Sequence, residues 1–144
     1  MPEQVLVPID GSEKADRALE YALATYPDAN IIALTVLDPA DFYAATGMEG
    51  GAMGNYEQLR EAHEDRGDRV LEDAREMAAD AGRELETEQV VGGVARSIVS
   101  VAEERDVDHV VIGSHGRTGA SRILLGSVAE KVARRSPVPV TIVR

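Results

Sequence analysis

Two glycine-bounded segments, Gly113-Ser114-His115-Gly116 and Gly126-Ser127, frame a loop that directly follows a short apolar run. Glycine has no Cβ, so the chain can turn tightly at these positions and bring its backbone close to a bound group. After Gly126-Ser127 the pattern SVAEKVARRS has helical spacing. The free N–H groups and dipole of a helix start favour an anion. Together these residues could cradle phosphate, although the Lys of an ordinary P-loop is missing. A second reading of Ser127 is a plain helix cap, with Glu130 three residues on completing a Ser-x-x-Glu capping box. The two readings are compatible, because one hydroxyl can cap an empty site and meet phosphate in a filled one.

Asp10 ends the first apolar run, QVLVPID, just before Gly11-Ser12. A carboxylate there can accept hydrogen bonds from ribose hydroxyls or help hold a metal on phosphates. It can also form an Asx turn before Gly11. His115 reads either as a loop donor near phosphate or as a solvated side chain. His63, His109 and His115 lack metal-ligand spacing, and there is no Cys, so no protein-only metal site is expected. The chain also has no G-x-x-x-x-G-K-[ST], no G-x-G-x-x-G and no G-x-S-x-G. Neither P-loop nor dinucleotide machinery nor an evident nucleophile with a paired base is present.

These residues need a scaffold, and 144 residues at 44% hydrophobic content suit a single domain, 1–144. The net charge of −11 argues against a nucleic-acid or anionic-membrane surface. The charge is unevenly spread. Residues 113–144 carry Glu130 as their one acid against Arg117, Arg122, Lys131, Arg134, Arg135 and Arg144. Lys131, Arg134 and Arg135 fit a helix C-terminus, whereas Arg117 and Arg122 fall inside the glycine-framed loop. The acid-rich, Lys-poor composition suggests a salt-rich cytosol. No apolar run reaches membrane length and the start lacks a signal-peptide pattern, so a cytoplasmic protein is expected.

The elements follow from apolar spacing. QVLVPID reads as a strand, and Ala15, Ala18, Leu19, Ala22 and Leu23 form a one-sided helical stripe. NIIALTVLD reads as a strand covered on both faces. Residues 38–54 have no sustained period and suit a lid or an inserted loop. Asn55 and Gln58 resemble a capping box opening a charged helix that ends near Ala81-Gly82, with Gly67 an interior weak point. ELETEQVVGG reads as a strand nearer the sheet edge, Ala95, Ile98, Val99 and Ala102 as a third helical stripe, and DHVVIGS as a buried strand. A fourth helix and VPVTIVR follow. Alternation of strands and helices predicts an α/β domain with an open five-stranded parallel sheet and helices on both faces. Winding outward from strand 1 in both directions gives the order 3-2-1-4-5. The exits of strands 1 and 4 then face each other across the crevice where ligands bind in such sheets.

The spacing Gly113-x2-Gly116-x9-Gly126-Ser127, with VLVPIDGSEKADRALEYA at the front and DHVVIGSHGRTGASRILLGSVAEKVARRSPVPVTIV at the back, resembles the ATP-binding branch of the universal stress proteins. That resemblance implies a Rossmann-like fold of the adenine nucleotide alpha hydrolase-like kind, with ATP, or AMP or ADP, between strands 1 and 4. Pro8, Ile9 and Asp10 would line adenine and ribose, and Val36 would meet the adenine edge. Ile112, Gly113, His115, Gly116 and Arg117 would follow ribose and phosphates, and Gly126, Ser127 and Val128 would close the phosphate site. Mg²⁺ or Mn²⁺ would accompany the phosphates, with Asp10 within reach of that ion. The resemblance further implies a nucleotide-dependent regulator of stress survival with slow ATP hydrolysis at most, a homodimer through the C-terminal strand, and a protein partner. An ATP-dependent enzyme of the same α/β class and a non-nucleotide interaction module are the alternative functions.

Overall fold

The computed structural model describes residues 2–41, 53–116 and 125–144. Along these the chain runs β1 (Gln4–Pro8), α1 (Glu13–Thr25), β2 (Asn30–Leu37), α2 (Met53–Asp80), β3 (Glu86–Val91), α3 (Val94–Glu104), β4 (His109–Gly113), α4 (Ser127–Arg135) and β5 (Val140–Val143). All four strand pairings are parallel, and the five strands lie in the order β3-β2-β1-β4-β5, as the spacing predicts.

Alternation along the strands builds two cores. Val5 and Val7 of β1 and Ile31 and Ala33 of β2 point to the side covered by α1 and α2. Leu6, Ile32 and Leu34 point to the side covered by α3 and α4. The α1 stripe is buried as expected, and three of its members are alanines, which let the helix lie close on the sheet. In α3 the buried set is Ala95, Ile98, Val101 and Ala102. Val99 is only half-buried, so Val101 takes the place that the spacing gave to Val99.

Helix α2 begins at Met53, so Asn55 falls inside its first turn and is not the cap. Its other end fits the sequence. Gly82 adopts φ +72, the Arg83 N–H bonds to the Ala78 carbonyl at 2.8 Å, and the Gly82 N–H bonds to the Ala79 carbonyl at 2.9 Å. These are the two bonds of a Schellman stop. Arg83 then reaches back to the Leu23 and Ala29 carbonyls, at 2.8 Å each, tying the end of α1 to the start of β2. Gly67 does not break α2. It makes room for the Gln89 carboxamide, which donates to the Glu64 carbonyl at 3.3 Å and would collide with a Cβ on Gly67.

The start of the sheet is held by titratable groups. The Asp108 carboxylate accepts from the Glu3 and Gln4 N–H groups, both at 2.9 Å, and these bonds hold its pKa below the usual carboxylate range. His109 packs its ring against Tyr26, with centroids 5.6 Å apart, and its Nε2 lies 2.6 Å from the Thr141 hydroxyl of β5. Burial lowers the His109 pKa, because the charged ring would lose water. A lowered histidine pKa means that the unfolded chain binds the proton more tightly. Stability is therefore full above the unfolded value of about 6.5 and is lost as pH falls from there toward the folded value. His109→Gln, which keeps a partner for Thr141, should flatten the decline in melting temperature between pH 7 and pH 5. An unchanged decline in the variant would place its origin elsewhere.

Candidate functional site

The strand order reverses between β1 and β4, and a crevice of about 690 Å³ opens at their carboxyl ends. That volume is within the roughly 300–1,000 Å³ range of small-molecule sites. Pro8, Ile9 and Asp10 enter from the β1 exit, Val36 from β2, and Ile112, Gly113, His115 and Gly116 from β4, while Gly126, Ser127 and Val128 enter from the start of α4. These residues, separated by as much as 120 positions in the chain, line one cavity as the sequence predicts. Arg117 and Arg122, and most of the predicted 38–54 loop, lie outside the described residues.

Close backbone approach assembles the crevice. The Gly126 N–H bonds to the Ser114 carbonyl at 2.6 Å, and the Ser114 N–H bonds to the Val143 carbonyl at 2.7 Å. A Cβ on Gly126 would lie 3.0 Å from that Ser114 oxygen, and one on Gly116 would lie 2.9 Å from Asp10 Oδ2. A Cβ on Gly113 would fall 2.7 Å from the backbone carbon and oxygen of Lys14 in α1. These glycines thus make room for neighbouring protein atoms and so seat β4 and its loop against α1 and the β1 turn.

Asp10 fulfils the turn reading with one oxygen. Its Oδ1 accepts from the Ser12 N–H at 2.9 Å, while its Oδ2 faces Gly116. Ser12 caps α1 by accepting from the Ala15 N–H at 3.2 Å. Asp16, one turn into α1, has its pKa raised by partial burial and by the charges of Glu20, Asp10 and Asp73, so this end of the molecule is electronegative. The capping box at α4 does not form. Gly126, at φ −69 and ψ 158, is the cap, Ser127 is the first helical residue, and Glu130 pairs with Arg134 at 2.7 Å. The cap residue itself therefore offers no side chain to the first N–H groups of α4. His115 Nδ1 lies 3.0 Å from the Ser114 hydroxyl, on a serine that is 2% exposed. Among the described residues no three His, Asp or Glu side chains gather as a metal site.

Sequence spacing missed several contributors. Leu34, Val94 and Ile98 form an apolar floor on the α3 side, and Asp38, Asp41 and Arg66 stand at the rim. The floor residues read as ordinary core. Arg66 carried a signal, since its helical neighbours at three and four residues, Ala62, His63, Arg69 and Val70, include no acid.

An open, parallel, doubly wound α/β sheet with a crevice at its switch point defines a ligand-binding class. Within that class, the chain belongs to the universal stress protein family, whose model matches residues 1–144. It is 35% identical to universal stress protein MJ0531 of Methanocaldococcus jannaschii, over 99% of this chain and 82% of that one. It is also 35% identical to YxiE of Bacillus subtilis, over the full length of both. Among solved structures it resembles MJ0577 of M. jannaschii, at 31% identity and a TM-score of 0.84, over 98% of this chain and 94% of that one. A crystal structure of a universal stress protein in complex with cAMP matches at 30% identity and a TM-score of 0.70, over 99% and 97% of the two chains.

The backbone contact at Gly113 gives a direct test. Gly113→Ala should cost about 1–3 kcal/mol through overpacking against Lys14, with or without any ligand. A thermal melt would show this as a drop of several degrees for a chain of this size; an unchanged melt would mean that α1 and β4 are not in this contact.

Proposed function

We propose that this protein binds an adenine nucleotide, ATP before AMP or ADP, in the crevice between β1 and β4 and acts as a nucleotide-dependent regulator or sensor in the stress response. The observation that carries this reading is the start of α4. Its N–H groups, to which the cap residue Gly126 offers no side chain, adjoin a crevice that also receives Asp10 and Val36. A helix start of this kind favours phosphate. The family, and a relative crystallised with cAMP, support an adenine nucleotide as the ligand.

The nucleotide would lie with adenine and ribose toward the β1 and β2 exits and phosphates toward Gly126, Ser127 and Val128. β1 pairs with β2 only as far as Pro8 opposite Leu34, whereas β2 runs on to Leu37. Val36 therefore has no β1 residue registered opposite it, and its backbone edge is turned toward the base. Mg²⁺ or Mn²⁺ would come with the phosphates. Asp10 is the residue placed to help hold it, although one of its oxygens is engaged by Ser12.

Hydrolysis should be slow or absent. Ser114 is too buried to act as a nucleophile despite its contact with His115, and the chain has no Walker-type Lys. A regulator of this kind would work through a protein partner. Its subunits would pair through β5, whose four residues are all partly exposed at the open edge of the sheet. We place it in the cytoplasm; among the described residues no helix is long and apolar enough to cross a membrane.

ATP at ~100 times its Kd should stabilise the fold by about 2.7 kcal/mol. Asp10→Ala should weaken that stabilisation, and Gly126→Val should abolish it. The Gly126 variant also crowds Ser114, so circular dichroism must accompany its melt. Equal calorimetric affinity in wild type and both variants would move the site elsewhere, and a kcat of about 1–10³ s⁻¹ without a partner would make the protein an enzyme. Assembly has its own test. Val110 of β4 and Ser114, just beyond it, donate to the Pro139 and Val143 carbonyls. By alternation, Val140 directs its N–H to the open edge. Val140→Pro removes that donor and keeps apolar bulk, so sedimentation should show the variant monomeric. The wild-type dimer should tighten with salt, which screens the −11 charge on each subunit. A monomeric wild type at high salt, or an undiminished dimer in the variant, would exclude this edge.

A further inference from the structure

Arg66 of α2 stands at the crevice rim. The other charged residues of the described lining, His115 aside, are the carboxylates Asp10, Asp38 and Asp41. Elsewhere on α2, two arginines are held by acids at helical spacing: Arg60 by Glu64 at 3.0 Å and Arg75 by Glu72 at 3.0 Å. Arg66 has no acid at that spacing and is exposed.

Its neighbours fix where it stands. Gly67 abuts β2 and β3, where an added Cβ would lie 3.4 Å from Leu37 Cδ2 and would strike the Gln89 carboxamide. One turn on from Arg66, Val70 Cγ2 lies 3.4 Å from the position of a Cβ on Gly11. Helix α2 is therefore pinned between the β2 exit and the β1 turn. Arg66 rises over the same end of the crevice, away from Gly126, and across from it lies the floor of Val36, Val94 and Ile98.

Among the described residues of the lining there is no Phe, Tyr or Trp to stack on a base. A guanidinium is planar and delocalised and stacks on aromatic faces, which an ammonium does not. We propose that Arg66 is a specificity-determining residue that lays its guanidinium over one face of the purine while the other face rests on Val36, Val94 and Ile98. This assignment rests on the nucleotide reading above. It makes the base, rather than the phosphate tail, the part of the ligand that α2 senses, with the rim carboxylates Asp38 and Asp41 disfavouring a phosphate beside Arg66.

Calorimetric titration of adenosine, AMP and ATP into wild type, Arg66→Met and Arg66→Lys tests the assignment. Arg66→Met should weaken all three ligands by the same factor, about three- to tenfold, with the melt of the empty protein unchanged. Arg66→Lys should recover little of the loss, and the factor should persist in high salt. A loss confined to AMP and ATP would make Arg66 a phosphate contact and overturn the proposal, as would unchanged affinity in both variants. A wild type that binds none of the three ligands would instead refute the nucleotide reading itself, a result distinct from an Arg66 variant matching a wild type that binds.

Discussion

The hydrogen bond from the Gly126 N–H to the Ser114 carbonyl, 2.6 Å long, is the constraint on which the rest of the crevice depends. It closes the neck of the β4–α4 connection. Ser114 is anchored in turn to Val143 of the edge strand. With the neck closed, the first turn of α4 is aimed at the end of β1; without it, α4 could pack on the sheet with its N-terminus turned elsewhere. Backbone donors held this way lose little entropy when they meet a ligand, which is the advantage of a preorganised site.

The described charged side chains around the crevice are mostly acidic. Asp16 has its carboxylate charge disfavoured by burial and by Glu20, Asp10 and Asp73, while Asp38 and Asp41 add to the rim. An anionic ligand entering this end depends on helix dipoles and bound cations to offset the carboxylates. For the nucleotide proposed above, that balance favours a divalent ion on the phosphates. It also suits an acidic protein whose repulsions are screened by salt.

Much of this was legible in the sequence. The period of the α1 stripe, the continuous apolar run of β2 and the alternation of strand and helix were enough for the sheet order, since right-handed crossovers leave few topologies. Eleven of the twelve predicted site residues line the crevice, from the ends of β1, β2 and β4 and the start of α4. The rest depended on tertiary geometry. Ser127 looks like a cap in sequence, but the helix starts one residue early, because Gly126 adopts extended backbone at the neck. Asn55 looks like a cap for α2, yet that helix begins at Met53. Val94, Ile98 and Arg66 belong to no motif, and only the packing of α2 and α3 brings them to the crevice.

The glycines at 113, 116 and 126 answer to protein atoms: the Lys14 backbone, the Asp10 carboxylate and the Ser114 carbonyl. Their side-chain freedom is removed by the architecture itself, before any ligand is considered. Substitution can therefore move through the rim and the partly exposed edge of the floor, at Val94, Asp41 or Arg66, without disturbing the neck. A scaffold partitioned in this way can drift from one small molecule to another while keeping its glycine spacing, so the spacing records the shape of the cradle and the rest of the wall records its occupant.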